Sequence, residues 1–152
     1  MYILDYQLNE AMGADLPRWI SSRDALKQKL SDFNGFIPNH THHLYVLEFS
    51  RDGYEEPYFY VGNTNSGDDG LFQEIRRRGR NPFSIQRPIE YEGIDVLTTH
   101  RKDEYTVVDI ERIETLIDPP DAMGKEYSNN GERRLAYEVA IEYNTTKVLG
   151  GK

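Results

Sequence analysis

Two short apolar-aromatic runs, "HLYVLEFS" (43–50) and "PYFYVGNT" (57–64), are joined through "SRDGYEEP". Both runs are dense in Tyr, Phe and Val, the side chains that suit a pleated, half-buried surface. The Asp, Gly and Pro between them supply turn chemistry, so the pair reads as an antiparallel hairpin. Each strand carries a tyrosine, Tyr45 on the first and Tyr60 on the second. Gly62 follows Tyr60 and lets the chain turn away closely before an open polar loop, "NTNSGDDG".

The rest of the chain supplies elements to cover such a hairpin. "SSRDALKQKLSDF" has a serine cap and apolar residues at Ala25, Leu26, Leu30 and Phe33, which predicts a helix. "NGFIPN" then breaks the chain. After the hairpin, "LFQEIRRRG" reads as a short helix with Asp68 or Asp69 as N-cap and Gly79 as C-cap. Residues 80–103, with Pro82, Pro88 and Gly93, read as an insertion containing one strand, "GIDVLTT". "EYTVVDIERI" alternates as a strand. "DPPDAMGKEYSNNG" reads as a loop, and "ERRLAYEVAIEY" as the last helix before "NTTKVLGGK". The order helix, strand, strand, helix, strand, helix predicts an α+β fold: a small three-stranded, mainly antiparallel sheet flanked by helices. The domain spans 41–152, behind an N-terminal extension, 1–40, that holds one helix.

A chain of 152 residues is the size of one domain, able to bury roughly 70% of its unfolded surface. There is no cysteine, which excludes disulfides, thiolate metal sites and cysteine nucleophiles. The start, "MYILDYQLNE", has neither a basic segment nor a long apolar run, and no window approaches a membrane span; a cytoplasmic protein without a membrane partner is expected. Net charge is −8, with 12 Arg against 6 Lys, a balance that resembles salt-adapted proteins. Such a charge opposes a polyanionic partner at long range but does not say where a site lies.

The chemistry-bearing residues fall in a definite order. Tyr45 and Tyr60 lie on neighbouring strands, an arginine-rich helix follows, and a later helix carries Glu138 beside the apolar stripe of Leu135, Ala136, Val139, Ala140 and Tyr143. A tyrosine pair, a phosphate-binding arginine and one carboxylate holding a hard cation can hydrolyse a phosphodiester. The carboxylate binds Mg²⁺, the cation and arginine offset charge on the phosphate, and a tyrosine or its water handles the proton.

On these residues the chain resembles the GIY-YIG endonuclease superfamily. "HLY" stands at the first signature tripeptide and "YVG" at the second. "LFQEIRRR" stands at the arginine-bearing helix, "LAYEVAIEY" at the helix with the metal-binding glutamate, and "KVLGG" at the closing segment. The resemblance covers residues 43–152 by motif order and leaves out 1–40 and 80–103. It implies a DNA endonuclease, with DNA favoured over RNA, using Mg²⁺ or Mn²⁺. It implies Tyr45 and Tyr60 as the signature tyrosines, Tyr45 as proton acceptor or water positioner, Gly62 as the signature glycine and Glu138 as metal ligand. Three positions depart from the pattern. His43 replaces the first glycine, Glu74 stands where the catalytic arginine belongs, and Lys147 replaces the final asparagine. Arg78, one helical turn beyond Glu74, is the candidate replacement, with Arg76, Arg77 and Lys147 as further phosphate contacts.

Plainer readings stand beside these. Two tyrosines on strands are commonly packing residues. "RRRGR" at a helix end also caps its free carbonyls. Glu142 is as well placed by helical spacing as Glu138. "HTHH" (40–43) reads as a flexible flank, and "NTNSGDDG" lacks calcium-loop spacing. The rival function is a catalytically inactive relative that binds nucleic acid or protein, for which Glu74 and the acidic charge argue. No separate recognition domain is evident. Specificity would come from residues 1–40, from 80–103, or from the second subunit of a homodimer.

Overall fold

The computed structural model describes residues 20, 22–80, 105–117, 124–145 and 147–150. The expected "GIDVLTT" strand and most of the first half of the N-terminal extension lie outside them. The elements run α1 (Arg23–Leu30), β1 (His42–Arg51), β2 (Tyr58–Thr64), α2 (Gly67–Arg80), β3 (Tyr105–Leu116), α3 (Gly124–Glu142) and β4 (Val148–Gly150). The fold is α+β, as the sequence predicts, with β2, β1 and β3 forming an antiparallel sheet. The closing segment adds a short fourth strand: β4 pairs parallel with β2, giving the order β3-β1-β2-β4.

The central strand β1 is buried on both faces, which explains its nearly continuous apolar run. Tyr45, Leu47, Phe49, Tyr58 and Tyr60 point to one face, where they pack with Leu26 and Leu30 of α1 and Leu71, Phe72 and Ile75 of α2. Leu44, Val46, Phe59 and Val61 point to the other, against Leu135, Ala136 and Val139 of α3. Tyr143 closes this second layer by stacking on Phe59, ring centroids 4.6 Å apart. The β1–β3 register slips twice, between Val46 and Leu47 and between Glu48 and Phe49. Each slip leaves an extra residue on β3, and such bulges bend and twist a strand.

Three boundaries differ from the sequence expectation, each through tertiary contact. Ser22 caps α1 as predicted, accepting from Ala25 N–H at 3.1 Å. Gly79, expected as a C-cap, instead lies within α2, where a Cβ would come 2.0 Å from Ile20 Cδ1. Asp68 and Asp69 occupy the first turn of α2 instead of capping it, and the Asp68 carboxylate accepts from Asn39 N–H in the loop before β1. α3 begins at Gly124, so "KEYSNNG" is helical although its breakers predict a loop. Gly131 sits where α3 meets Leu44 and Leu116, a Cβ there being 3.1 Å from Leu44 Cδ1. Closeness to the sheet outweighs the local cost of glycine, about 1 kcal/mol.

Leu47 is fully buried at the centre of the α1–α2 layer. Leu47→Ala should lower unfolding free energy by about 2–5 kcal/mol, read as a lower urea midpoint at unchanged slope.

Candidate functional site

The β1–β2 register sets Tyr45 opposite Gly62 and Leu47 opposite Tyr60. Tyr45 and Tyr60 are therefore diagonal neighbours on one face, with ring centroids 6.1 Å apart and planes tilted by 45°. The Tyr45 ring lies directly across Gly62. A Cβ at position 62 would come 2.5 Å from both Cζ and the hydroxyl oxygen of Tyr45. Glycine is required here because a neighbouring ring fills the space of its side chain, and no turn is involved: Gly62 lies inside β2.

α2 runs over these tyrosines. The Tyr45 hydroxyl donates to Glu74 Oε1 at 3.0 Å. Arg77 Nη2 donates to Glu74 Oε2 at 2.5 Å, and Arg78 Nε lies 3.5 Å from Glu74 Oε1. The Arg78 guanidinium also sits 5.2 Å from the centroid of the Tyr60 ring. Glu74 and Arg78 are 27% and 18% exposed, whereas Arg77 is 53% exposed and leans outward. Arg76 is half-buried.

Burial holds the Tyr45 phenol well above its ordinary pKa, and the neighbouring Tyr60 and Glu74 push it further in the same direction, with Arg78 opposing. Tyr45 keeps its proton near neutrality and acts as a donor to Glu74. Burial works against the charge on Arg78, but Tyr60, Tyr45 and Glu74 outweigh it and hold its pKa above the usual guanidinium value. The cluster is thus a charged carboxylate–guanidinium pair closed by a tyrosine hydroxyl.

Glu138 lies elsewhere. It stands on α3, the helix that covers the opposite face of the sheet. Its Oε1 accepts from Arg112 Nη1 at 3.1 Å and its Oε2 from Arg134 Nη1 at 2.8 Å. Arg112 also bonds Glu142, and Arg134 also bonds Glu114. Glu114, Arg134, Glu138, Arg112 and Glu142 therefore form one continuous ionic chain between β3 and α3. Both oxygens of Glu138 face guanidinium groups, an arrangement that does not fit a Mg²⁺ or Mn²⁺ ligand. Among the described residues no group of three His, Cys, Asp or Glu side chains is placed to hold a metal ion. Lys147 precedes β4, with its ammonium 5.9 Å from the Tyr58 ring, toward the start of β2. The structure brings Tyr45, Tyr60, Gly62 and Arg78 together and leaves Glu138 and Lys147 apart from them.

Two polar groups stand out that the motif reading did not single out as site residues. Glu132 is 5% exposed on α3 and accepts from Asn63 Nδ2 at 2.5 Å, immediately after Gly62. Its signal in the sequence was its position: Ser128, Glu132, Leu135, Ala136 and Val139 form one buried helical stripe, and a carboxylate interrupts it. His43, expected in a flexible flank, is 0% exposed in β1 with both ring nitrogens engaged.

No protein-family model matches the chain, and no curated protein and no solved structure matches it either. Among the described residues no helix is long and apolar enough to cross a membrane.

Gly62→Ala should cost about 1–3 kcal/mol, the usual penalty for overpacking, because the obstructing ring is itself fully buried. Chemical unfolding of the variant measures it, and a change within error of zero would show that Tyr45 moves aside freely.

Proposed function

We propose that this chain is a GIY-YIG-like domain that does not hydrolyse phosphodiesters and works as an interaction module. One observation carries the reading: Glu74 lies between the Tyr45 hydroxyl and the guanidinium groups of Arg77 and Arg78. A phosphoryl-transfer site aims cations at the place where negative charge develops. In this cluster a carboxylate already occupies the cations and would repel a phosphate approaching them. The proposed metal ligand, Glu138, is separated from the tyrosines by the sheet and held by two arginines. The net charge of −8 disfavours a polyanion at long range and favours a protein partner over nucleic acid.

A second reading, a GIY-YIG-type endonuclease cutting DNA with Mg²⁺ or Mn²⁺, is favoured by Arg78, a cation set against the Tyr60 ring and within reach of Tyr45. That chemistry requires Glu74 to leave the arginines and a carboxylate to reach the tyrosine face.

The two readings separate in a nicking assay on supercoiled plasmid, with Mg²⁺ or Mn²⁺, at low and high salt. The wild type, Glu74→Arg and Glu138→Ala are run beside a chelator blank. No conversion by the folded wild type is expected. Wild-type nicking that disappears in Glu138→Ala overturns the proposal in favour of the endonuclease. Nicking gained only by Glu74→Arg supports it and identifies Glu74 as the block.

A further inference from the structure

His43 is the hub of a hydrogen-bonded knot that fastens the loop before β1 to the rest of the fold. Its Nε2 faces two acceptors, the carbonyl of His40 at 3.0 Å and Asp68 Oδ1 at 2.9 Å. Its Nδ1 lies 2.9 Å from Thr115 Oγ1 on β3. The same two partners hold the loop directly. Thr115 Oγ1 accepts from Ile37 N–H at 2.9 Å, and Asp68 Oδ2 accepts from Asn39 N–H at 2.8 Å. Backbone bonds complete the attachment, from Thr115 N–H to Gly35 O and from Gly67 N–H to Thr41 O. Phe36 packs against the imidazole, ring centroids 5.4 Å apart.

The protons of this knot have one consistent assignment. A carbonyl and a carboxylate accept only, so Nε2 carries the hydrogen. In the neutral ring Nδ1 then accepts, and the Thr115 hydroxyl must donate to it. That hydroxyl simultaneously accepts from Ile37 N–H. Every polar group is satisfied while His43 is neutral. Adding a proton to Nδ1 sets two donors, the ring and Ile37 N–H, on the one Thr115 oxygen and turns the hydroxyl hydrogen away from its acceptor. A buried donor deprived of its acceptor is costly. The groups facing the ring from the packed elements are Asp68 of α2, which attracts the added charge, and His40 of the loop, whose carbonyl favours that charge and whose side chain opposes it. β3 presents the uncharged Thr115.

We propose that His43 is a pH-sensitive pin whose neutral imidazole locks residues 35–41 onto α2 and β3, and whose protonation releases that loop while the sheet stays folded. The inference is independent of whether the domain cuts DNA. Burial lowers the pKa of His43 below 6.5, with the hydrogen bond and charge of Asp68 opposing. The locked state therefore binds the proton less well than the released state. Its stability is fully present above the released-state value and declines as pH falls from there toward the lower locked-state value.

The test is amide hydrogen exchange by NMR at about pH 7.5 and about pH 5, corrected for intrinsic exchange, on the full chain. Protection of the Ile37 and Asn39 amides should fall about threefold or more between the two, while Val46 and Val61 on the sheet keep theirs. His43→Gln, which does not titrate, should lose this pH dependence. Asp68→Asn, which removes the charge that favours protonation of the locked state, widens the gap to the released-state value and should deepen the loss of protection at about pH 5. It also serves if His43→Gln does not fold. Flat protection in the wild type, loss in parallel with the sheet amides, an unchanged response in His43→Gln, or a loss in Asp68→Asn no larger than in the wild type would each overturn the proposal.

Discussion

The fold depends on a side chain crossing a backbone. Tyr45 lies over Gly62 on the adjacent strand, filling the volume that any other residue at that position would claim. The crossing brings the Tyr45 ring beside Tyr60 and carries its hydroxyl to the acid on α2. Because strand side chains alternate between faces, the register that places Tyr45 on the α1–α2 side also places Leu44 and Val46 on the α3 side. A one-residue slip would exchange the two layers entirely. One ring-over-glycine contact thus helps to set which helix meets which face.

That division governs the chemistry. The α2 face holds tyrosines, Glu74 and Arg78 in a tight, half-shielded cluster. The α3 face holds an ionic chain of alternating acids and arginines, partly exposed to solvent. Exposed pairs of this kind contribute little each to stability, and their value lies in registering α3 over β3. A hydrolytic centre that drew its arginine from one layer and its carboxylate from the other would need a side chain to pass around the sheet. Glu138 instead satisfies both of its oxygens locally, and Glu74 satisfies the cations of the tyrosine layer.

Several elements were legible in the chain because their signals are local. The hairpin followed from β-branched and aromatic density around a turn, and α1 followed from its serine cap and Leu26–Leu30 spacing. The pairing of Tyr45 with Tyr60 on one face followed once the hairpin was antiparallel. The extent of α3 was not legible, since "KEYSNNG" breaks a helix by local rules, and the close approach of its Gly131 to Leu44 and Leu116 comes only with the fold. The burial of His43 was hidden for a similar reason. Its partners, Asp68 and Thr115, lie 25 and 72 residues away in sequence, and no local pattern marks them.

The sequence by itself determined the three antiparallel strands, the order of elements as far as α3 and the presence of an acid where a phosphate-binding site calls for a cation, because residue type and short-range periodicity carry that information. Only the tertiary structure decided which charges meet. Whether Arg78 would join Tyr60, whether Glu74 would face inward, and whether Glu138 would stand with the tyrosines or behind the sheet all depend on how helices far apart in sequence dock on the two faces. Helical spacing fixes neighbours within an element. Packing across the sheet fixes neighbours between elements, and that is where the candidate site is made.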